Sequence, residues 1–219
     1  MKKEINKKNQ KQHILDVAAK LIARKGFHAV GVREIASNAK VNISMISYYF
    51  SGKVGILKAI NEVYFDELAR IFKGLNFEEK NHEIFFGSYL EQLIEFFVEK
   101  RDYCRVAILE LPIEHPEILE YKIEMVKINK SFVKRYLKEK FVILDKYEQV
   151  IIGPAFMAMA FSNFLLGELH RKMTKIEYNR TFYKNYTKTI NTLFFKGVTG
   201  LVNDKIKCLN KKKNEKTSL

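Results

Sequence analysis

The sequence predicts an all-α chain, and three observations predict it. Only three prolines and ten glycines occur in 219 residues, and Lys, Glu, Leu and Ile are abundant. Few breakers and many good helix formers favour long helices. Apolar residues recur at helical spacing along most of the chain, and no stretch shows a convincing two-residue alternation. Hydrophobic residues make up 47% and aromatic residues 13%, enough to build a core. The expected architecture is a small N-terminal three-helix unit followed by a larger helical one.

The first helix is expected over Gln10 to Lys25. Ile14, Ala18, Leu21 and Ile22 form one apolar stripe, and Arg24, Lys25 and Gly26 make a basic helix stop. A short second helix is expected over Val32 to Ala39, with Val32, Ile35, Ala36 and Ala39 on one face. Gly31 is its N-cap, and Glu34 stands three residues on; a Ser or Thr at 31 would complete a capping box. Lys40 and Val41 make a tight turn. Asn42 then caps a third helix, Ile43 to Phe50. In it Ile46, Tyr49 and Phe50 face inward, leaving Ser44, Met45, Ser47 and Tyr48 outward. Two short helices joined by a tight turn behind a longer one is helix-turn-helix architecture.

Ser51 and Gly52 break the chain before a fourth helix, Lys53 to Phe72. Further helices are expected over Glu83 to Lys100, Tyr103 to Leu111, Pro116 to Phe141, Lys146 to Arg171 and Glu177 to Val202. Pro112 and Pro116 bracket a loop, and Pro116 suits a first helical turn. The polar basic stretch 207–219 is expected to be a disordered tail. Gln149 to Gly167 is a charge-free run of 19 residues, near the ~20 needed to cross a bilayer. Gly153, Pro154, Ser162 and Asn163 interrupt it. A buried or subunit-interface helix is the favoured reading, and no membrane span is expected.

The placement of charge is more informative than its total of +14. Residues 1–60 hold 12 Lys plus Arg against 3 Asp plus Glu, a net +9. Residues 61–204 hold 21 of each and are neutral, and residues 205–219 hold 6 against 1. A basic head on a neutral body points to a polyanion partner, or to plain solubility. Cys104 and Cys208 lie far apart without metal spacing and read as free thiols in a reducing cytoplasm. The first twelve residues lack the apolar core of a signal peptide.

The segment His13 to Ile60 resembles the DNA-binding domain of the TetR family of bacterial regulators. The matching residues are Ile14, Ala18, Ala19, Leu21, Gly26 and Phe27. They continue through Val32-Arg33-Glu34-Ile35-Ala36, Ala39, Val41, Ile46-Ser47-Tyr48-Tyr49-Phe50, Lys53 and Leu57. Two positions depart from the family pattern. Gly31 stands where Ser or Thr is usual, and Lys40 where Gly is common. If residue 40 is left-handed, a Lys there costs about 1 kcal/mol.

The resemblance implies a ligand-responsive transcription regulator, a repressor by default, binding a palindromic operator in double-stranded DNA as a homodimer. The expected DNA-contacting residues are Arg33, Lys40, Asn42, Ser44, Met45, Ser47, Tyr48, Tyr49 and Lys53. Small side chains on the third helix let the backbone approach base edges; Ser suits either base type and Met45 a thymine methyl. The tyrosine hydroxyls suit phosphate oxygens, and Lys53 and Arg33 sit at helix N-termini. Tyr49 reads equally well as a core aromatic. No Gln or Arg other than Arg33 offers bidentate base reading, so affinity should rest on phosphates and fall steeply with salt. The Lys-rich arm Lys2 to Lys11 is either a DNA contact or a solvated tail.

The same resemblance divides the chain into residues 1–52 for DNA binding, 53–206 for effector binding and dimerisation, and a tail 207–219. Dimerisation would use the last two long helices, the second offering Phe182, Tyr186, Thr189, Ile190, Leu193 and Phe194. Candidate walls of an effector site are Phe97, Tyr103, Met125, Phe132, Phe156 and Met159. Polar contacts would come from Asn163, Glu168 or His170. For any one wall residue, ordinary core packing is the favoured reading. The composition suggests a small apolar or aromatic effector.

Nothing points to an enzyme or to a cofactor. There is no G-x-S-x-G, phosphate loop or dinucleotide fingerprint, and Ser88 and Ser131 lack a neighbouring His. Five scattered histidines form no metal repeat. Glu110, Glu114, His115 and Glu117 cluster near two prolines and read as a solvated loop rather than a cation site. The alternative function class is a basic, membrane-surface-associated helical protein, which would prefer anionic lipid to duplex DNA.

Overall fold

The computed structural model describes residues 2–110, 115–127 and 145–197, with the side chains of residues 2–8 and of Gln149 left aside. Among the described residues every regular element is a helix. They are α1 (Lys2–Lys25), α2 (Val32–Ala39), α3 (Ser44–Phe50), α4 (Lys53–Lys73), α5 (His82–Glu99), α6 (Arg101–Leu109), α7 (116–127), α8 (Lys146–Thr174) and α9 (180–197). Phe132, Ser131, Pro112, Glu114, Cys208, the expected helical residues 128–141 and the basic tail lie outside the described residues.

The expected ends at Phe141 and Val202 lie outside the described residues; the expected helices are otherwise present with their described ends at most three residues from expectation, except at α1. There the helix begins at Lys2 rather than Gln10. The correction has a physical reason. Residues 2–9 are mostly Lys, Asn and Glu, which give no apolar stripe to read, yet Lys and Glu are adequate helix formers once a helix lies beyond them.

The chain gathers into two compact units, Met1–Arg70 with Phe96–Asn129, and Ile71–Glu95 with Lys130–Leu219. The first unit is built on the apolar stripes of α1, α2 and α3. Ile14, Ala18, Ile22, Phe27, Ile35, Ile46, Ile56, Leu57 and Ile60 are almost wholly buried, and Tyr103, Val106 and Ile118 of α6 and α7 belong to the same core. Removing one such Ile or Phe side chain costs roughly 2–5 kcal/mol, so this is where α2 and α3 get their fixed geometry.

Helix ends explain the turns between these elements. Gly31, extended at φ −96°, caps α2 without a side-chain bond. Lys40 follows α2 in the left-handed region at φ 54°, ψ 44°. Its N–H bonds Ser37 O at 3.1 Å and that of Val41 bonds Ala36 O at 3.0 Å, closing the helix as a Schellman motif. Asn42 Oδ1 accepts from the Ser44 N–H at 2.9 Å, so Asn42 acts as the expected cap of α3. Ser51 (φ 58°) and Gly52 (φ 107°) make the break before α4.

The second unit is rich in aromatic packing. Phe86, Phe156 and Phe194 interlock, with Phe156–Phe194 centroids 4.7 Å apart and Phe86–Phe156 5.4 Å apart. Tyr89 stacks between Phe72 at 4.8 Å and Phe156 at 5.8 Å. Asp145 opens α8 with a capping box: its Oδ1 accepts from Tyr147 and Glu148 N–H groups, and Glu148 accepts from the Asp145 N–H. The helix continues through Pro154. Tyr186 Oη donates to Ala160 O at 3.2 Å and Tyr178 Oη to Asn163 Oδ1 at 2.9 Å, which fastens α9 and its approach to α8.

Candidate nucleic-acid interface

Helix α3 is held from behind and open in front. Ile46 is fully buried and Phe50 nearly so, whereas Ser44, Ser47 and Tyr48 are exposed, Tyr48 at 66% of its surface. An anchored short helix with a small polar outer face can bring its backbone close to base edges, which a longer side-chain fringe would prevent. Tyr48 packs edge-on against Tyr49 at 5.0 Å, which sets the direction of its ring.

The nine expected contact residues do not share one role. Arg33, Lys40, Ser44, Ser47 and Tyr48 stand around the α2–turn–α3 face, all at least partly open to solvent. Asn42 is also exposed, but its side chain accepts from both the N–H and the Oγ of Ser44, so its first duty is to the helix. Met45, expected outward, is half-buried and packs against the core. Met45 and Tyr49 stand four residues apart beside the buried pair Ile46 and Phe50, so both lie at the edge of the buried stripe. Tyr49 is half-buried and its hydroxyl donates to Gln10 Oε1 at 3.2 Å. The Lys53 ammonium is turned inward, 2.9 Å from Phe27 O and 4.3 Å from the centroid of the Phe27 ring.

Several positioning residues carry no sequence signal. His13 Nε2 lies 3.1 Å from Ala39 O, tying α1 to the end of α2. Glu110 Oε2 accepts from the Phe27 N–H at 3.1 Å. Lys122, only 6% exposed, donates to Ala107 O at 2.9 Å and to Glu110 O, and burial lowers its pKa to about 8 against the pull of Glu110. Gly55 is sterically required, because a Cβ there would stand 1.6 Å from Phe50 O. A lone Gly in an amphipathic segment says nothing about such an approach without coordinates.

Residues 14–60, which span α1 from Ile14 through α2, α3 and the start of α4, match the family described as bacterial regulatory proteins, tetR family. In this segment the chain is similar to the TetR family. A curated relative, the probable HTH-type transcriptional regulator YttP of Bacillus subtilis (strain 168), is 27% identical over 141 residues, covering 64% of this chain and 61% of that protein. A second, the uncharacterized HTH-type transcriptional regulator YuxN of the same organism, is 24% identical over 52% of this chain and 39% of its own length. The match therefore spans less than two thirds of either relative. Among solved structures, the TetR family transcriptional regulator PfmR from Thermus thermophilus aligns with a TM-score of 0.66 at 16% identity, over 84% of this chain and 97% of that one. The fatty acid degradation regulator FadR from Bacillus halodurans aligns with a TM-score of 0.61 at 18% identity, over 84% and 94%. At those identities the structural likeness establishes the fold.

The candidate effector residues fall in separate units. Phe97, Tyr103 and Met125 belong to the first, and Phe156, Met159 and Asn163 to the second. Tyr103 is buried and its hydroxyl is committed to α1: it donates to Asp16 Oδ1 at 2.6 Å and accepts from Gln12 Nε2 at 2.9 Å. Burial, and then the Asp16 hydrogen bond, push its pKa well up. Phe156 is enclosed by other rings, Met159 and Asn163 are half-buried, and Glu168 and His170 are exposed, with Glu168 paired to Arg171. His115 Nδ1 is 3.5 Å from Glu117, while the Glu110 carboxylate turns away to Phe27. Cys104 is a buried free thiol.

Proposed function

We propose that this chain is a ligand-responsive transcription regulator, a repressor, that binds a palindromic DNA operator as a homodimer. The observation that carries the reading is α3: anchored through Ile46 and Phe50, it presents Ser44, Ser47 and Tyr48 outward beside the cations Arg33 and Lys40. Residues 1–52 serve as the DNA-binding part and 53–206 as the effector-binding and dimerisation part.

Dimerisation through α8 and α9 is supported by what α8 leaves uncovered. Tyr147, Val150, Ile151, Leu165, Leu166, Leu169 and Met173 are exposed along it, and Leu193 on α9. A second copy would cover this apolar surface. Among the described residues α8 is also the one helix long and apolar enough to cross a membrane, which is why anionic vesicles belong in the test as a competing partner. In the dimer the two α3 helices would stand about 34 Å apart in successive major grooves. An effector that favours another spacing lowers operator affinity by shifting that population. The effector is taken to be small and apolar or aromatic, and the fold shared with a fatty acid degradation regulator makes acyl chains a sensible first class to screen.

Selection from random duplexes at near-physiological salt tests the reading. Enrichment of an inverted repeat by a dimer supports it. Binding to anionic vesicles with no enriched duplex contradicts it. Sedimentation of a Leu169→Glu variant as a monomer, with operator affinity lost, supports the α8 surface; an unchanged dimer contradicts it.

A further inference from the structure

Helix α4 buries one polar side chain in an otherwise apolar strip. Leu57, Asn61, Tyr64, Phe65 and Leu68 recur at helical spacing and all are buried, Asn61 completely. Asn61 Nδ2 donates back to Leu57 O of its own helix at 2.8 Å. That bond fixes the amide, because a flipped one would set Oδ1 against the same carbonyl oxygen. Oδ1 is therefore turned away from the helix backbone, and among the described residues no donor reaches it. On one side of Asn61, Tyr64 packs against Phe96 with centroids 6.0 Å apart. On the other, the Lys58 ammonium and the Phe65 ring meet the Tyr121 ring of α7 at 5.5 Å and 6.3 Å. Asn61 stands between these two lines, one helical turn from Lys58, Tyr64 and Phe65 alike. Tyr121 is only half-buried, so its ring can swing towards solvent without taking the core with it. An enclosed acceptor without a donor costs stability, and an Asn bonded only within its own helix returns no tertiary contact. A Leu at this position would serve a purely structural α4 better.

We infer that Asn61 is the polar recognition point of an effector site between α4 and α7, and that its ligand is an uncharged aromatic ring bearing one N–H or O–H donor. The ligand ring takes the place of the Tyr121 ring against Phe65, and its donor meets Asn61 Oδ1. The inference rests on the effector-binding reading above and deepens it. A ring without a donor leaves the acceptor as unmet as before, so the site discriminates by that one group. An anionic ring is disfavoured. Burial first, and then the charges of Glu62, Asp66 and Glu124, push the Tyr121 hydroxyl up to about 12, which places three carboxylates around the entry.

The test titrates the full chain, Asn61→Leu and Tyr121→Ala with two probes in a calorimeter. One probe is indole; the other is benzofuran, the same bicycle with an oxygen in place of the N–H. The parent should bind indole about tenfold or more tightly than benzofuran. Asn61→Leu should lose that preference. The ratio of the two affinities within one variant separates the hydrogen bond from any change in packing. Tyr121→Ala, which vacates the seat and leaves the acceptor, should bind indole severalfold more tightly than the parent and keep the preference, so the site stays testable even if Asn61→Leu does not fold. Equal affinities in the parent, no binding of either probe, a preference that persists in Asn61→Leu, or weaker indole binding by Tyr121→Ala overturns the site. Operator affinity at saturating indole is read separately. Donor-selective binding that leaves operator affinity unchanged removes the effector reading and keeps a binding site at Asn61. Release of operator by another apolar compound, with equal potency on the parent and on Asn61→Leu, keeps the effector reading and removes this site.

Discussion

The carboxylate of Glu110, just past the end of α6, accepts a hydrogen bond from the backbone N–H of Phe27 at 3.1 Å, across 83 residues of sequence. Phe27 is gripped on its other side as well, since Lys53 donates to its carbonyl oxygen at 2.9 Å. Both backbone polar groups of one residue in the α1–α2 connection are thus satisfied by side chains from outside the three-helix head. Glu110→Ala leaves that part-buried N–H without its acceptor and should destabilise the chain by about 1–3 kcal/mol. Glu110→Gln keeps an acceptor oxygen and should cost less than half as much. Urea unfolding of the three proteins side by side checks this, and equal stability of all three would contradict it.

Lys40 sits in the left-handed region at φ 54°. A non-glycine residue there is held against a steric penalty of roughly 1–2 kcal/mol, offset in part by the entropy that glycine loses on folding. Lys40→Gly should therefore stabilise the chain by up to about 1 kcal/mol in thermal unfolding. If Lys40 also touches phosphate, the same variant binds operator with a salt slope smaller by about 0.9 per phosphate.

Gly55 admits no side chain in its present place. A Cβ would lie 1.6 Å from the Phe50 carbonyl oxygen and 2.7 Å from its carbon, both backbone atoms that cannot rotate away. Gly55→Ala should force the α3–α4 junction apart and cost at least about 2 kcal/mol. Operator affinity should fall more steeply than for Ser51→Ala, because the displaced element is α3 itself.

Lys122 gives a pH signature. Its folded pKa is lowered by burial from the ordinary 10.5 to about 8. Between those values the unfolded chain binds the proton and the folded chain does not, so this group's contribution to stability rises with pH across that window. Below pH 8 the charged form is held at a penalty on the order of 3 kcal/mol. The stability of the parent relative to Lys122→Met should therefore improve as pH climbs from about 8 towards 10.5. A difference that stays flat over that range would contradict the burial of the ammonium.

The three-helix head is legible in the sequence because its determinants are local. Gly31 and Asn42 cap, Gly26 stops, and the apolar spacing of α1 and α2 fixes which faces meet. The parts that were not legible depend on distant partners. Tyr49 reads as core or contact from sequence, and its bond to Gln10 depends on where α1 lies. The Glu110–Phe27 bond and the buried Lys122 depend on α6 and α7 packing against residues far off in the chain. Gly55 carries no pattern at all. The effector walls stay unreadable for another reason: Phe97, Phe156 and Met159 have the same sequence appearance whether they line a cavity or fill a core.

The proposed reading of DNA by the outer face of α3 can be measured directly. Selection from random duplexes is run in parallel on the parent chain and on Tyr48→Ala, whose exposed ring can be removed without opening the core. The expected result is an inverted repeat for the parent, and for the variant a fall in enrichment on the order of tenfold or more at unchanged thermal stability. Recovery of the same repeat with the same affinity by both proteins would contradict it.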